Sequence, residues 1–189
     1  MIPSWIAAFT LVLLVGMVLT RALLMRRQGI RAFKFGAIDR KDFIIPPFVL
    51  FYFYLVLARA LHLPTPVHRQ LFRLALAPWL GVAFCLIALA IFLAALISFG
   101  RSFRVGIDAD RPDRLITGGI FAVTRNPIYL AFALVLIGEF LIFPHWVLLA
   151  YLIAGFWLLH RQVLREEDFL QSHYGSAFAQ YRHHVRRYL

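Results

Sequence analysis

The chain has 189 residues, 62% of them hydrophobic, with a mean hydropathy of +0.78. Soluble domains hold about 45–50% apolar residues, so this excess excludes burial in a water-soluble core alone and calls for lipid. The net charge of +11 does not point to nucleic acid, because the basic residues lie between apolar runs, as they do in loops facing anionic lipid.

The first apolar stretch runs from Ile2 to Leu24. It has no positive segment before it and is too long for the apolar region of a signal peptide, so a retained helix is expected. The second stretch is Phe43 to Leu61 and the third Leu74 to Phe99. A helix crossing the hydrocarbon core needs about 20 residues, which these stretches supply. Pro46 and Pro47 fall in the first turn of the second stretch, where a missing N–H costs little. The single cysteine, Cys85, lies in the third stretch and excludes an intrachain disulfide.

The fourth and fifth stretches, Ile128 to Phe143 and His145 to His160, have 16 residues each and are separated by Pro144. Their shortness predicts a tight helical hairpin. Its free ends are expected to extend through Pro127 on one side and through Arg161–Glu167 on the other. Such a hairpin brings the segment before Ile128 beside the segment after His160.

Lysine and arginine alternate between the loops. Residues 21–42 carry seven, 59–73 three, 100–127 five and the tail from 161 five, while the turn at Pro144 carries none. Five spans then put seventeen on one side and three on the other, so the N-terminus is expected outside and the C-terminus in the cytoplasm. The fold class expected is all-α, a five-helix integral protein of the inner or plasma membrane type. Residues 1–99 would form three transmembrane helices. Residues 100–189 would form a catalytic region with the hairpin, a cofactor pocket facing the cytoplasm and a C-terminal helix.

Two polar segments flank the hairpin. In the first, Asp108 to Tyr129, Arg111-Pro112-Asp113 is a turn signal and Gly118-Gly119 permits unusual backbone angles. Asn126 is expected to cap the fourth helix, with Pro127 at its first position. Capping and turn chemistry would account for this segment. Free amides at the helix N-terminus beside Arg125 could equally form an anion site. In the second, Arg161 to Leu189, the acids Glu166, Glu167 and Asp168 follow Arg161 and Arg165. They form either a solvated helix with internal ion pairs or a carboxylate pair that binds a cation. Brought together by the hairpin, one wall offers cationic and N–H donors and the other carboxylates. That pair of walls suits a zwitterion.

Tyr174-Gly175, Phe178 and Tyr181 recur at helical spacing and predict an amphipathic helix on the membrane or over the site. Glu139, six residues before His145, is expected to reach the outer interface, the alternative being a working intramembrane carboxylate. His183-His184 reads as a surface pair, and none of the histidines shows metal-ligand spacing.

These segments resemble the isoprenylcysteine carboxyl methyltransferase family, whose broad group includes the phospholipid amine N-methyltransferases. The resemblance rests on Leu115-Ile116-Thr117-x-Gly119-x-Phe121, on Arg125-Asn126-Pro127-x-Tyr129, on Glu166-Glu167-x-x-Leu170, and on Tyr174-Gly175, Tyr181 and Val185-x-Arg187. It covers residues 100–189. It implies an S-adenosylmethionine-dependent methyltransferase in the membrane, with the cofactor held by Leu115, Ile116, Gly119, Phe121, Arg125, Asn126, Pro127, Tyr129, Glu166 and Glu167. Asn126 stands where the family has His, and Phe121 where Tyr is common. The family's substrate-meeting arginine falls at Gln162, so Arg161 or Arg165 takes that role, with Glu167 beside them as a catalytic candidate. The acceptor implied is a lipophilic or lipidated molecule, either a prenylcysteine-type carboxylate or a lipid amine, met within the membrane lipid. The rival readings are an NADPH-dependent membrane reductase related to sterol reductases, and a non-catalytic membrane protein.

Overall fold

A computed structural model of the chain describes residues 2–27, 45–65, 69–100 and 115–189. These residues form helices and turns, with no strand among them. Six α-helices follow in order: α1 (Ile2–Arg27), α2 (Ile45–Ala60), α3 (Ala77–Phe99), α4 (Pro127–Ile142), α5 (Trp146–Tyr174) and α6 (Ser176–His184). A 3-10 turn, Gly119–Ala122, precedes α4. The helices α1, α3 and α5 are each long and apolar enough to cross a membrane, and α2 and α4 are shorter apolar helices.

Backbone chemistry sets the helix ends. Pro78 sits in the first turn of α3 and Pro127 opens α4, both where the missing N–H has no helical partner to lose. Pro144 stands in the short turn between α4 and α5. At the other end of α5, Gly175 adopts φ +53°, a left-handed conformation that favours glycine and stops the helix. The 29 residues of α5 span about 44 Å, well beyond the ~30 Å hydrocarbon core, so its last turns extend past the lipid. The extension expected as far as Glu167 in fact continues to Tyr174.

Small residues let α3 and α4 come into backbone contact. A Cβ on Gly138 would stand 2.7 Å from the Gly81 carbonyl oxygen and 2.8 Å from Cys85 Sγ. Where lipid competes equally well for apolar side chains, close packing of this kind holds helices together. Around the seam, Phe92, Cys85, Ala88, Ala131 and Val135 are buried. Outward-facing Leu80, Ile97, Ile153 and Trp157 are each more than half exposed, a surface suited to lipid.

Glu139 departs from expectation. It does not reach an interface: it is 0% exposed, on the same face of α4 as Ala131, Val135 and Ile142, all turned into the bundle. Counting its distance from His145 along the chain gave its depth but not its direction. The helical phase decides that the side chain points inward.

Candidate active site

The 3-10 turn places the first wall. Gly119 has φ +61°, and a Cβ there would collide with the Ser98 side chain near the end of α3. The Ser98 hydroxyl accepts a hydrogen bond from Ile120 N at 3.2 Å. Phe121 is then buried edge-on against Phe99, with ring centroids 4.6 Å apart. Thus Gly119 is needed both for its backbone angle and for the close approach to α3. Gly118, with φ −95° and ψ 174°, is ordinary extended chain.

Beyond the turn, the chain is clasped by the C-terminal tail. Arg125 N donates to the Arg186 carbonyl at 3.0 Å. Thr124 Oγ1 donates to the Arg187 carbonyl at 3.2 Å, and the Tyr181 hydroxyl donates to the Phe121 carbonyl at 2.7 Å. Burial pushes the Tyr181 phenol up to about 12, which keeps it a donor at neutral pH.

Two carboxylates on α5 meet this wall. Glu167, 5% exposed, receives Arg125 Nη2 at 3.1 Å and Asn126 Nδ2 at 3.2 Å on Oε1. On Oε2 it receives both Arg187 Nε at 3.0 Å and Nη2 at 2.8 Å, so one guanidinium edge closes on a single carboxylate oxygen. Burial lowers the Arg125 guanidinium from its ordinary value against the pull of Glu167, while the hydrogen bonds to Glu167 raise that of Arg187. Glu166 lies one residue earlier, half-buried, and accepts from the Tyr129 hydroxyl and, at 3.2 Å, from Gln162 Nε2. Both bonds end on Oε1.

The expected adjacency of Arg125–Tyr129 and Glu166–Glu167 is therefore present, as direct contact between the two walls. Asn126 occupies the N-cap position of α4, but its side chain makes no cap hydrogen bond. Its amide nitrogen donates to Glu167 and to the Arg187 carbonyl, and these two bonds set the side chain's orientation. Pro127 is buried beneath this cluster, and Leu115 and Ile116 are half-buried at the entrance to the described segment. Arg161 is exposed and stands over the Trp157 ring at 5.5 Å. Arg165 is half-buried. The turn expected at Arg111–Asp113 lies outside the described residues.

Three site residues carry no role in the sequence reading: Gln162, Thr124 and Arg187. The spacing of Gln162 and Glu166, one helical turn, was a usable signal. Arg187 was visible only as part of a motif, since nothing in sequence ties it to Glu167 twenty residues earlier. The amphipathic helix expected after Tyr174 is α6, which buries Phe178 and brings Tyr181 to the first wall.

Apolar helices around a charged knot at one end of the bundle define an integral membrane protein with a polar site. The model of the phospholipid methyltransferase family matches residues 76–177, more than half of the chain, and the chain belongs to that family. It is accordingly a membrane methyltransferase acting on lipid-type substrates. This favours the methyltransferase reading over the reductase and the non-catalytic ones. Searches among curated proteins and among solved structures found no match.

Proposed function

We propose that the chain transfers a methyl group from S-adenosylmethionine to the amine headgroup of a membrane lipid, in a five-span bundle whose site faces the cytoplasm. The observation that carries the choice of an amine is the position of Glu166. Glu166 faces the start of α4 and takes its hydrogen bonds from Tyr129 and Gln162, while Arg161 is exposed on Trp157. A prenylcysteine-type carboxylate would need a cation at that point.

The residues present fit the methyl donor. Its carboxylate end calls for an N–H donor, and Arg125 Nε is buried without a hydrogen-bond partner among the described residues. Its ammonium end calls for carboxylate oxygen, which Glu167 supplies. Leu115, Ile116, Gly119, Phe121 and Pro127 would line its apolar parts, with Asn126 and Tyr129 fixing the carboxylates. When bound, S-adenosylmethionine supplies a methyl group on a cationic sulfur.

The chain's own work is positioning, drying and proton removal. Glu167 holds Arg125, Asn126 and Arg187 together and so fixes the wall. Glu166 accepts the proton that the lipid ammonium must lose before its nitrogen can attack. The Tyr129 and Gln162 donors orient that carboxylate. Arg161 and Arg165, on the same stretch of α5, meet the lipid phosphate.

Calorimetry in detergent tests the site. S-adenosylmethionine should bind the full chain, and Glu166→Gln with Glu167→Gln should weaken it at least tenfold. Unchanged affinity in the double variant would exclude these carboxylates from the cofactor site.

A further inference from the structure

At the end of the bundle opposite the Glu167 knot lies a second polar feature. An open pocket of about 130 Å³ is lined by Arg59, Arg69, Arg73, Gln70, Thr65 and His145, over a floor of Leu55 and Phe143. Ligand pockets that enclose a whole small molecule run to roughly 300–1,000 Å³, so this one takes a headgroup fragment rather than a cofactor.

Its charge is one-sided. The three arginines are the only Lys or Arg residues in the 59–73 stretch, and all three line the pocket. No aspartate or glutamate occurs anywhere between Asp42 and Asp108. Across the pocket, α5 begins without an acidic residue in its first turn and without a side-chain cap. The positive end of its helix dipole therefore adds to the same field. His145 Nδ1 is buried and has no hydrogen-bond partner among the described residues. Burial, and then Arg59, hold its imidazole below the ordinary value, so the ring is neutral at pH 7 and does not add a charge of its own.

The loop that carries two of the three arginines is anchored to the turn across the pocket. Leu71 N donates to the Pro144 carbonyl at 2.6 Å, which pins the loop carrying Arg69 and Arg73 to the turn between α4 and α5. The depth of the pocket is marked by tryptophans. Trp79, in the first turn of α3, is 53% exposed and Trp146, at the start of α5, is 64% exposed. Exposed tryptophans at helix ends sit at the headgroup level of a bilayer. Leu71 and Leu74, on the same loop, are also more than half exposed, as residues touching acyl chains would be.

We infer that Arg59, Arg69 and Arg73 form a phosphate-binding site, occupied by the phosphate of a lipid headgroup on the face opposite the methyl-transfer site. Guanidinium groups match phosphate oxygens in pairs of hydrogen bonds, and three around one pocket suit a dianionic monoester best. The inference does not depend on the methyl donor or on the acceptor.

Native mass spectrometry of the full chain, in micelles doped with phosphatidic acid or with diacylglycerol of the same acyl chains, isolates the phosphate. The wild type should retain phosphatidic acid at least tenfold over diacylglycerol. Arg69→Gln with Arg73→Gln should lower that preference at least fivefold, the remainder being what Arg161 and Arg165 hold at the other end, Arg69→Lys with Arg73→Lys should keep most of it, and Arg182→Gln, also at that other end, should leave it intact. Inorganic phosphate as a competitor separates the sources. Displacement only at large excess supports the lipid, whereas displacement at equal concentration overturns the lipid assignment in favour of a free anion. Equal retention of the two lipids by the wild type would overturn the site whatever the variants do.

Discussion

At one end of the bundle two guanidinium groups, Arg125 and Arg187, share the Glu167 carboxylate; at the other, Arg59, Arg69 and Arg73 line one pocket in a stretch of chain without an acid. The same residue type does opposite work at the two ends. Around Glu167 the cations are spent inside the protein, and they tie the 3-10 turn, α5 and the tail into one wall. In the pocket no carboxylate lines the cavity beside the arginines among the described residues. A count of basic residues along the chain does not tell these apart. What separates them is whether the fold brings a carboxylate to the arginines.

That contrast can be broken most severely at Glu167. Glu167→Ala leaves Arg125 buried beside Arg187 with no counter-charge, and losing one partner of a buried pair costs about 3 kcal/mol or more. For a chain of this size we expect the melting temperature in detergent to fall by roughly 6–12 °C. A fall within error would mean that the knot does not hold the wall. Gly119→Ala should come next, at about 2 kcal/mol, because alanine must take a left-handed angle and meet Ser98. Its melting temperature should fall, and the drop should be smaller in Ser98→Gly, which opens the space. Tyr181→Phe removes one hydrogen bond to the Phe121 carbonyl and should cost about 1 kcal/mol by the same measurement. The smallest effect belongs to the other end. With no lipid added, Arg69→Gln and Arg73→Gln should each move stability by no more than about 0.5 kcal/mol, because these exposed side chains are not spent within the fold. A loss there as large as that of Glu167→Ala would erase the contrast between the ends.

Hydropathy alone located the helices, since each of the five apolar stretches contains most of one helix, α1 to α5. Ends were less legible. Pro127 marked the start of α4 because proline fits only that position, but α5 runs on to Tyr174 because its polar extension packs against the tail and not against lipid. The meeting of Arg125–Tyr129 with Glu166–Glu167 was legible because a two-helix hairpin has little choice about which ends it joins. Asn126 and Glu139 were misread for related reasons. Position gave Asn126 its cap site, while the direction of its amide depends on Glu167, a residue 41 positions away. Depth gave Glu139 an interface, while its burial depends on which face of α4 meets α3. The pocket at the opposite end was visible only as three basic residues in a loop, because their convergence needs the bond from Leu71 to Pro144.

The most direct test of the proposed chemistry follows the methyl group itself. Membranes containing the full chain, given S-adenosylmethionine with a tritiated methyl, should label an amine-bearing lipid in the organic extract. Glu166→Gln, which keeps an oxygen for Tyr129 but cannot take up the proton, should lower that rate by about a hundredfold or more. Label found in protein alone, or an undiminished rate in Glu166→Gln, would contradict the assignment of Glu166 as the proton acceptor for a lipid amine.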